Sequence, residues 1–311
     1  VGLGLAVAAA AGGAAAPRGH DVGPVRVAAV QGGGARGLRA VEGDPHVVFE
    51  AQLAATRAAV GPGDVDVVVW AEDVVDVDGP LAGSEQEAAM ARLSDDLRAT
   101  VVAGVVEDVS DRRFRNAAVV WEPGRGVVGR YDKVHRVPFG EYVPFRSLFA
   151  HLADLSDVPR DAIAGTGPGV LDTRVGRLGV VISYEVFFAD RARAAVRAGG
   201  ELVLVPTNAS SYTTSQVPAQ ELAVARVRAV ETGRWVVQAA PTGYSGVVDP
   251  SGTVVRHGPL GTRAVLLASV RLRVGRTPEV AVGDGPVVVA ALLALGAAAG
   301  WSHRRRKVEC C

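Results

Sequence analysis

Leu178-Gly179-Val180-Val181-Ile182-Ser183-Tyr184-Glu185-Val186-Phe187-Phe188 reads as a buried strand that breaks into a sharp turn. The turn presents one hydroxyl, Ser183, with a carboxylate two residues beyond it. A continuous apolar run closed in this way belongs to a strand covered on both faces. A nucleophile-type side chain on the turn that follows has the layout of a nucleophile elbow. Outward from this stretch, further strands are predicted at 25–31 (VRVAAVQ), 65–71 (VDVVVWA), 100–106, 116–121, 201–205 (ELVLV), 235–240 (WVVQAA), 244–249 and 264–270 (AVLLASV), with 178–184 among them. Most are Val-rich. Helices fill the gaps. Asp44-Pro45 supplies an N-cap and a first-turn proline, with Gly61 as the stop; Ser84 with Glu87 forms a capping box opening 85–98; Gly199 and Gly233 end helices 189–198 and 218–232. This βα alternation predicts a layered α/β domain. Residues 151–177 and the polar run 207–217 read as loops, which either shape a substrate entrance or decorate the surface.

The 311 residues, 49% of them hydrophobic, are enough to bury one large core. A formal net charge of zero gives no electrostatic footprint for nucleic acid. The two cysteines, Cys310 and Cys311, are adjacent at the C-terminus, where they neither staple the fold nor offer metal-ligand spacing. Positive charge is written as 31 arginines and two lysines, Lys133 and Lys307. A chain that uses arginine so consistently has either retained Lys133 by chance or kept it for a task that suits a compact ammonium and not a planar guanidinium.

Both ends are apolar. Residues 1–16 carry no charge, and residues 286–301 are uncharged and run into Arg304-Arg305-Arg306-Lys307. Sixteen helical residues reach about 24 Å, short of a hydrocarbon core of roughly 30 Å, so 286–301 would span with help from Val280 to Val282 and interfacial Trp301. The competing reading is a buried Ala-rich core helix. Residues 1–17 are read as the end of a transmembrane helix, since a signal peptide would carry a basic leader. The basic tail 302–311 should stay cytoplasmic, which puts the globular domain on the extracytoplasmic face.

Glu72 follows Val68-Val69-Trp70-Ala71 and leaves the end of a buried strand. It is either a solvated loop residue or a partly desolvated carboxylate with a raised pKa, suited to act as a general base. Lys133 lies in a segment rich in aromatics, proline and glycine, eight residues before Glu141. A lysine held by carboxylates can stabilise a developing oxyanion as a fixed positive charge. Ser183 would supply the attacking atom.

Five segments carry a family resemblance. YDKVHRVPFGEYVPF (131–145) is similar to the YDK-x-HLVPFGEYVPF signature of the apolipoprotein N-acyltransferase family, the membrane-embedded branch of the nitrilase superfamily. VVISYE (180–185) resembles its nucleophile motif, in which cysteine stands at the position of Ser183. VAAVQGG (27–33) resembles its opening strand. The blocks 225–252 and 275–289 resemble its later conserved-pattern segments and their run into the last transmembrane helix. The resemblance covers about residues 24–300. It implies an α/β fold, a nitrilase-like αββα sandwich over residues 24–275, flanked by transmembrane segments.

It also implies a reaction: transfer of an acyl chain from a membrane phospholipid to the N-terminal amine of a diacylated bacterial lipoprotein, through an acyl-enzyme. By position Glu72 is the general base, Lys133 the oxyanion-stabilising residue, position 183 the nucleophile and Glu141 the carboxylate that orients Lys133, while Tyr184 and Glu185 flank the nucleophile. The scheme uses no metal and no organic cofactor, works as a monomer, and belongs at the bacterial plasma membrane. Two departures stand out: Ser183 for cysteine, and Trp70-Ala71-Glu72 for the family's W-P-E. Serine needs a well-placed base at each attack, whereas a thiol is already partly ionised. Three readings therefore remain open: a family member with its nucleophile substituted, a catalytically impaired homologue that binds lipid or lipoprotein, and a serine-dependent variant. A soluble carbon–nitrogen hydrolase, an amidase, is the alternative enzyme class.

Overall fold

The computed structural model describes residues 18–37, 43–149, 154–155, 158–212 and 215–309, with side chains up to residue 298. Two sheets form its centre. The larger contains β1 (His20–Gln31), β2 (Val67–Val69), β3 (Val75–Val77), β4 (Thr100–Ser110), β5 (Arg113–Glu122), β6 (Gly126–Asp132), β7 (Asp161–Ala162) and a late strand, Ala264–Val274. The smaller contains β8 (Val170–Thr173), β9 (Gly176–Val180), β10 (Leu202–Pro206), β11 (Val236–Ala239), β12 (Gly246–Val248) and β13 (Val254–His257); the late strand is β14. Their orders are β14-β1-β2-β4-β5-β6, with β3 and β7 beside β4 and β5, and β13-β12-β11-β10-β9-β8. Parallel pairing at the centre of both sheets (Val27 with Val67, Val67 with Thr100, Leu202 with Leu178, Val203 with Val236) demands crossover helices.

Those helices are α1 (Pro45–Ala59), α2 (Glu85–Leu97), α4 (Ala189–Arg197) and α5 (Val217–Thr232), while α3 (Arg146–Phe149) is a single turn in a loop. Alternation along each strand sorts the side chains into layers. Val67 and Val69 meet Leu202 and Leu204 between the sheets, whereas Val68 faces outward among Phe49, Leu53, Met90 and Leu93 of α1 and α2. Val203 and Val205 face Ala192, Val196, Ala225 and Ala229 of α4 and α5. The result is a four-layer αββα sandwich, which explains why the strands carry valine on both faces.

The helix signals act locally. Asp44 accepts from the amide of His46, Ser84 Oγ accepts from the amide of Glu87, and Gly233 closes α5 in the left-handed region at φ 64°. The capping box is only half made: Glu87 Oε2 accepts from the amide of Gly83, one residue before the cap. Two expectations need correction. Residues 151–177 are not all loop, because Asp161–Ala162 and Val170–Thr173 pair with the strands beside them. Strand 178–184 ends at Val180, and a 3-10 turn begins at Ser183.

After α6 (Pro278–Val282) the chain continues as one helix, α7 (Gly285–Glu309). Val287, Val288, Val289, Leu292, Leu293 and Leu295 are all exposed. It is therefore not the buried core helix that was the competing reading. Among the described residues no helix is long and apolar enough to cross a membrane. Residues 1–17 lie outside the described residues, as do the side chains of Trp301 and of the basic tail.

Candidate active site

Strands β2, β9 and β10 end on the same side of the sandwich, the usual location for ligands in parallel α/β sheets. Glu72 leaves the end of β2, and Gly104 of β4 makes room for it: a Cβ there would overlap the Cα of Glu72 and lie 2.6 Å from the Ala71 carbonyl oxygen. Asn116, a buried amide of β5, and Lys133, just past β6, reach the same point. Lys133 Nζ donates to Glu72 Oε1 at 2.7 Å and to Glu141 Oε1 at 3.0 Å, and Asn116 Nδ2 donates to the same two oxygens at 2.9 and 2.8 Å. Glu141 is aimed inward by its loop. Its Oε2 accepts from the amide of Val137 at 2.6 Å, and Phe139, at φ 59°, bonds its amide to the Tyr142 carbonyl.

This cluster is buried, so its charges are coupled. Burial raises the pKa of Glu72 against the opposing pull of the Lys133 ammonium, and Glu141 adds to the rise. At Lys133 burial opposes the charge, but Glu72, Glu141 and Asp73 outweigh it and the ammonium is held more firmly than in water. The cluster supplies a fixed cation with a defined direction. Among the described residues no group of three or more His, Cys, Asp or Glu is arranged to hold a metal ion.

Ser183 occupies the first residue of the 3-10 turn at φ 46°, a conformation a non-glycine residue adopts only when its surroundings enforce it. Glu185 does the enforcing. This fully buried carboxylate accepts from the amides of Ile182, Val134 and His135 and from the Tyr131 hydroxyl, so it ties the turn to the segment that carries Lys133. Arg191 donates to the Tyr131 hydroxyl at 2.7 Å, next in this network. Glu185 thus fixes the geometry of this turn. Tyr184 packs against Phe187 and Phe188 and forms part of the cavity wall.

Glu72, Lys133, Glu141, Ser183 and Tyr184 line one cavity of about 460 Å3. The sequence groups Ser183 with Glu72 and Lys133, yet the hydrogen bonds of its hydroxyl go elsewhere. Ser183 Oγ lies 3.3 Å from Glu221 Oε1 as donor and accepts from Thr207 Oγ1 at 3.2 Å. Glu221, Thr207 and Asn116 were not foreseen. A signal for Glu221 was present: it stands four and eight residues before Ala225 and Ala229, on the stripe of α5 that packs inward. For Asn116 the signal is an amide opening the run Asn116-Ala117-Ala118-Val119-Val120.

The chain is 34% identical to apolipoprotein N-acyltransferase of Mycolicibacterium smegmatis over 286 residues, 88% of this chain and 47% of that protein. It is 35% identical to the protein of the same name in Pseudomonas aeruginosa over 269 residues, 83% of this chain and 50% of that one. The chain therefore spans about half the length of these relatives. Among solved structures, Saccharomyces cerevisiae Nit3, a member of branch 10 of the nitrilase superfamily, superposes with a TM-score of 0.60 at 20% identity, covering 85% of this chain and 93% of that one. A cysteine-to-alanine mutant of the Nesterenkonia AN1 amidase gives 0.56 at 26% identity, covering 83% and 93%. The carbon-nitrogen hydrolase family matches residues 26–278, a span that takes in both sheets, the Glu72–Lys133–Glu141 cluster and the Ser183 turn. By that match and by its sandwich, the chain belongs to the carbon-nitrogen hydrolase family.

Proposed function

We propose that this chain is the catalytic half of a bacterial membrane acyltransferase. It takes an acyl chain from a phospholipid and passes it to the N-terminal amine of a diacylglyceryl-cysteine lipoprotein. The observation that carries this reading is the buried Glu72–Lys133–Glu141–Asn116 cluster facing the same cavity as a residue held at φ 46° on a nucleophile turn. In the acylation step position 183 attacks the ester carbonyl and Lys133 meets the oxyanion; Glu72 is the base of the family scheme, in which that position holds cysteine. Glu141 holds Lys133 in place. The lysophospholipid leaves, and the lipoprotein amine then attacks the acyl-enzyme. Covalent catalysis lets one cavity accept two large lipids in turn.

Residues 286–301 cross the bilayer in this reading, with the sandwich on the extracytoplasmic face and 302–311 in the cytoplasm. The exposed apolar side chains around α7 support it. The enzyme acts as a single chain. Cys310 and Cys311 offer a direct test, because a membrane-impermeant maleimide should label them in inverted vesicles and not in intact spheroplasts. Labelling in spheroplasts alone would reverse the topology. Recovery of the protein in the supernatant after membrane fractionation would favour a soluble amidase.

The activity test is a mass assay for triacylated lipopeptide with the parent chain and with Ser183→Cys. The cysteine form should be faster by several powers of ten, roughly 4 kcal/mol of barrier or more at 1.36 kcal/mol per decade. Serine at position 183 also favours a second reading, a homologue that binds lipid or lipoprotein without turning it over. A Ser183→Cys form that binds the lipopeptide and leaves it unacylated would establish that reading instead.

A further inference from the structure

Ser183 faces two different carboxylates across one cavity. Glu72 is committed: its Oε1 already accepts from Lys133 and Asn116, and no hydrogen bond joins it to Ser183 among the described contacts. Glu221 is engaged with the serine itself. Only 4% of its surface is exposed, it projects from α5 toward the nucleophile turn, and its Oε1 lies 3.3 Å from Ser183 Oγ. Thr207, at the end of β10, has one hydroxyl proton and two acceptors within reach, Ser183 Oγ and the Glu221 carboxylate.

We propose that Glu221 is a catalytic residue of this chain, the base that takes the proton of Ser183 and so lets a hydroxyl act where the family scheme has a thiol. The proposal rests on the reading that position 183 is the acyl-accepting atom. In acylation the Ser183 O–H bond breaks toward Glu221 as the Oγ–carbon bond forms. The tetrahedral intermediate collapses by losing the ester oxygen, which takes that proton from Glu221 and leaves as an alcohol. In the second half an amine attacks the acyl carbon, losing a proton to Glu221 as the nitrogen–carbon bond forms; the Oγ–carbon bond then breaks and Ser183 Oγ takes that proton from Glu221. Lys133 keeps the oxyanion throughout, and Glu72 keeps Lys133 oriented.

The electrostatics fit the assignment. Burial pushes the Glu221 carboxyl up to about 7, with the Thr207 hydroxyl pulling it down, Glu72 raising it, and the Ser183 hydroxyl and Lys133 lowering it. A base near ambient pH is the most effective proton acceptor that still stays partly ionised. A cysteine at position 183 carries its own thiolate fraction and needs this help far less. That difference separates a chemical role for Glu221 from a structural one.

The probe is p-nitrophenyl octanoate, whose leaving group departs without a proton, so the burst of p-nitrophenolate reports nucleophile activation alone. Intact mass and peptide mapping place the octanoyl group at residue 183 and not at Cys310 or Cys311. Four proteins are compared: the parent chain, Glu221→Gln, Ser183→Cys, and Ser183→Cys carrying Glu221→Gln. Glu221→Gln should slow acylation of the serine form by 100-fold or more, with a loss in the cysteine form at least tenfold smaller. Acylation of the doubly substituted protein also certifies that Glu221→Gln folds. Equal losses in both backgrounds, or no loss in the serine form, would overturn the proposal. So would a serine form never octanoylated at Ser183; in that case a cysteine form whose labelling depends on Glu72 would leave the acyltransferase reading intact, and an inert cysteine form would remove that reading as well.

Discussion

The two sheets contribute opposite kinds of group to one cavity. The eight-stranded sheet delivers Glu72, Asn116 and Lys133, charged or amide groups locked by hydrogen bonds of 2.7 to 3.0 Å into a cluster that includes Glu141. The six-stranded sheet and its helix α5 deliver hydroxyls and one carboxylate, Thr207, Ser183 and Glu221, at 3.2 and 3.3 Å. One side is a preorganised electrostatic device that gains by rigidity. In the proposed reaction the other carries the atom that forms and breaks a bond, and its longer contacts would leave the hydroxyl free to move toward a carbonyl.

The most damaging way to break the comparison is Lys133→Met, which leaves Glu72 and Glu141 facing each other without a counter-ion. A loss of about 3–5 kcal/mol is expected at neutral pH in urea denaturation. If the midpoint does not move, the cluster is not the coupled unit described here.

A smaller effect of opposite sign is expected across the cavity. The folded pKa of Glu221, about 7, stands above its ordinary value of 4.5, so the folded state holds this proton more tightly than the unfolded chain does. That stabilisation is complete below about pH 4.5 and is lost as pH rises through 7. Glu221→Gln should therefore leave stability unchanged at pH 4 and raise it by something of the order of 3 kcal/mol at pH 8, relative to the parent at the same pH. Parallel urea curves for parent and variant at both values would mean that Glu221 titrates normally.

Gly104→Ala tests how strictly the eight-stranded side is positioned. The added methyl overlaps the backbone at Ala71 and Glu72, so a cost of about 1–3 kcal/mol is expected, with Glu72 displaced from Lys133 and acyl transfer reduced. A variant with full activity would show that the cluster tolerates a shift of Glu72. The mildest change is Leu292→Gln with Leu295→Gln on α7, where both side chains are exposed. Sandwich stability should stay within about 0.5 kcal/mol while partition into lipid vesicles falls. A large loss of stability would mean that α7 packs on the sandwich.

Much of the fold could be read from the sequence because burial on both faces leaves a plain mark. Val67-Val68-Val69 and Leu202-Val203-Leu204-Val205 are continuous runs that only a strand between two layers can use. The caps at Asp44, Ser84 and Gly233 were equally legible, since each acts through the nearest few backbone groups. The short strands were not. Val75–Val77 and Asp161–Ala162 have no periodicity of their own and exist because β4 and β5 offer free edges. At the site, Glu72, Lys133 and Ser183 could be named because each ends a strand or interrupts a pattern, and the segment 131–145 placed Glu141 beside them.

What the sequence determined by itself is the set of local instructions: where strands run, where helices start and stop, and which turn carries a nucleophile-type side chain. Those depend on side-chain period and backbone preference within a few residues. Only the tertiary structure decided which carboxylate meets which partner. Glu72, Glu185 and Glu221 look alike in a sequence, yet one pairs with a lysine 61 positions away, one gathers amide and hydroxyl protons to fix a turn, and one lies beside the hydroxyl of Ser183, 38 positions away. The physical reason is that a carboxylate's role depends on the donors that enclose it and the water it has lost, and both are fixed when two sheets and a helix close around a common cavity.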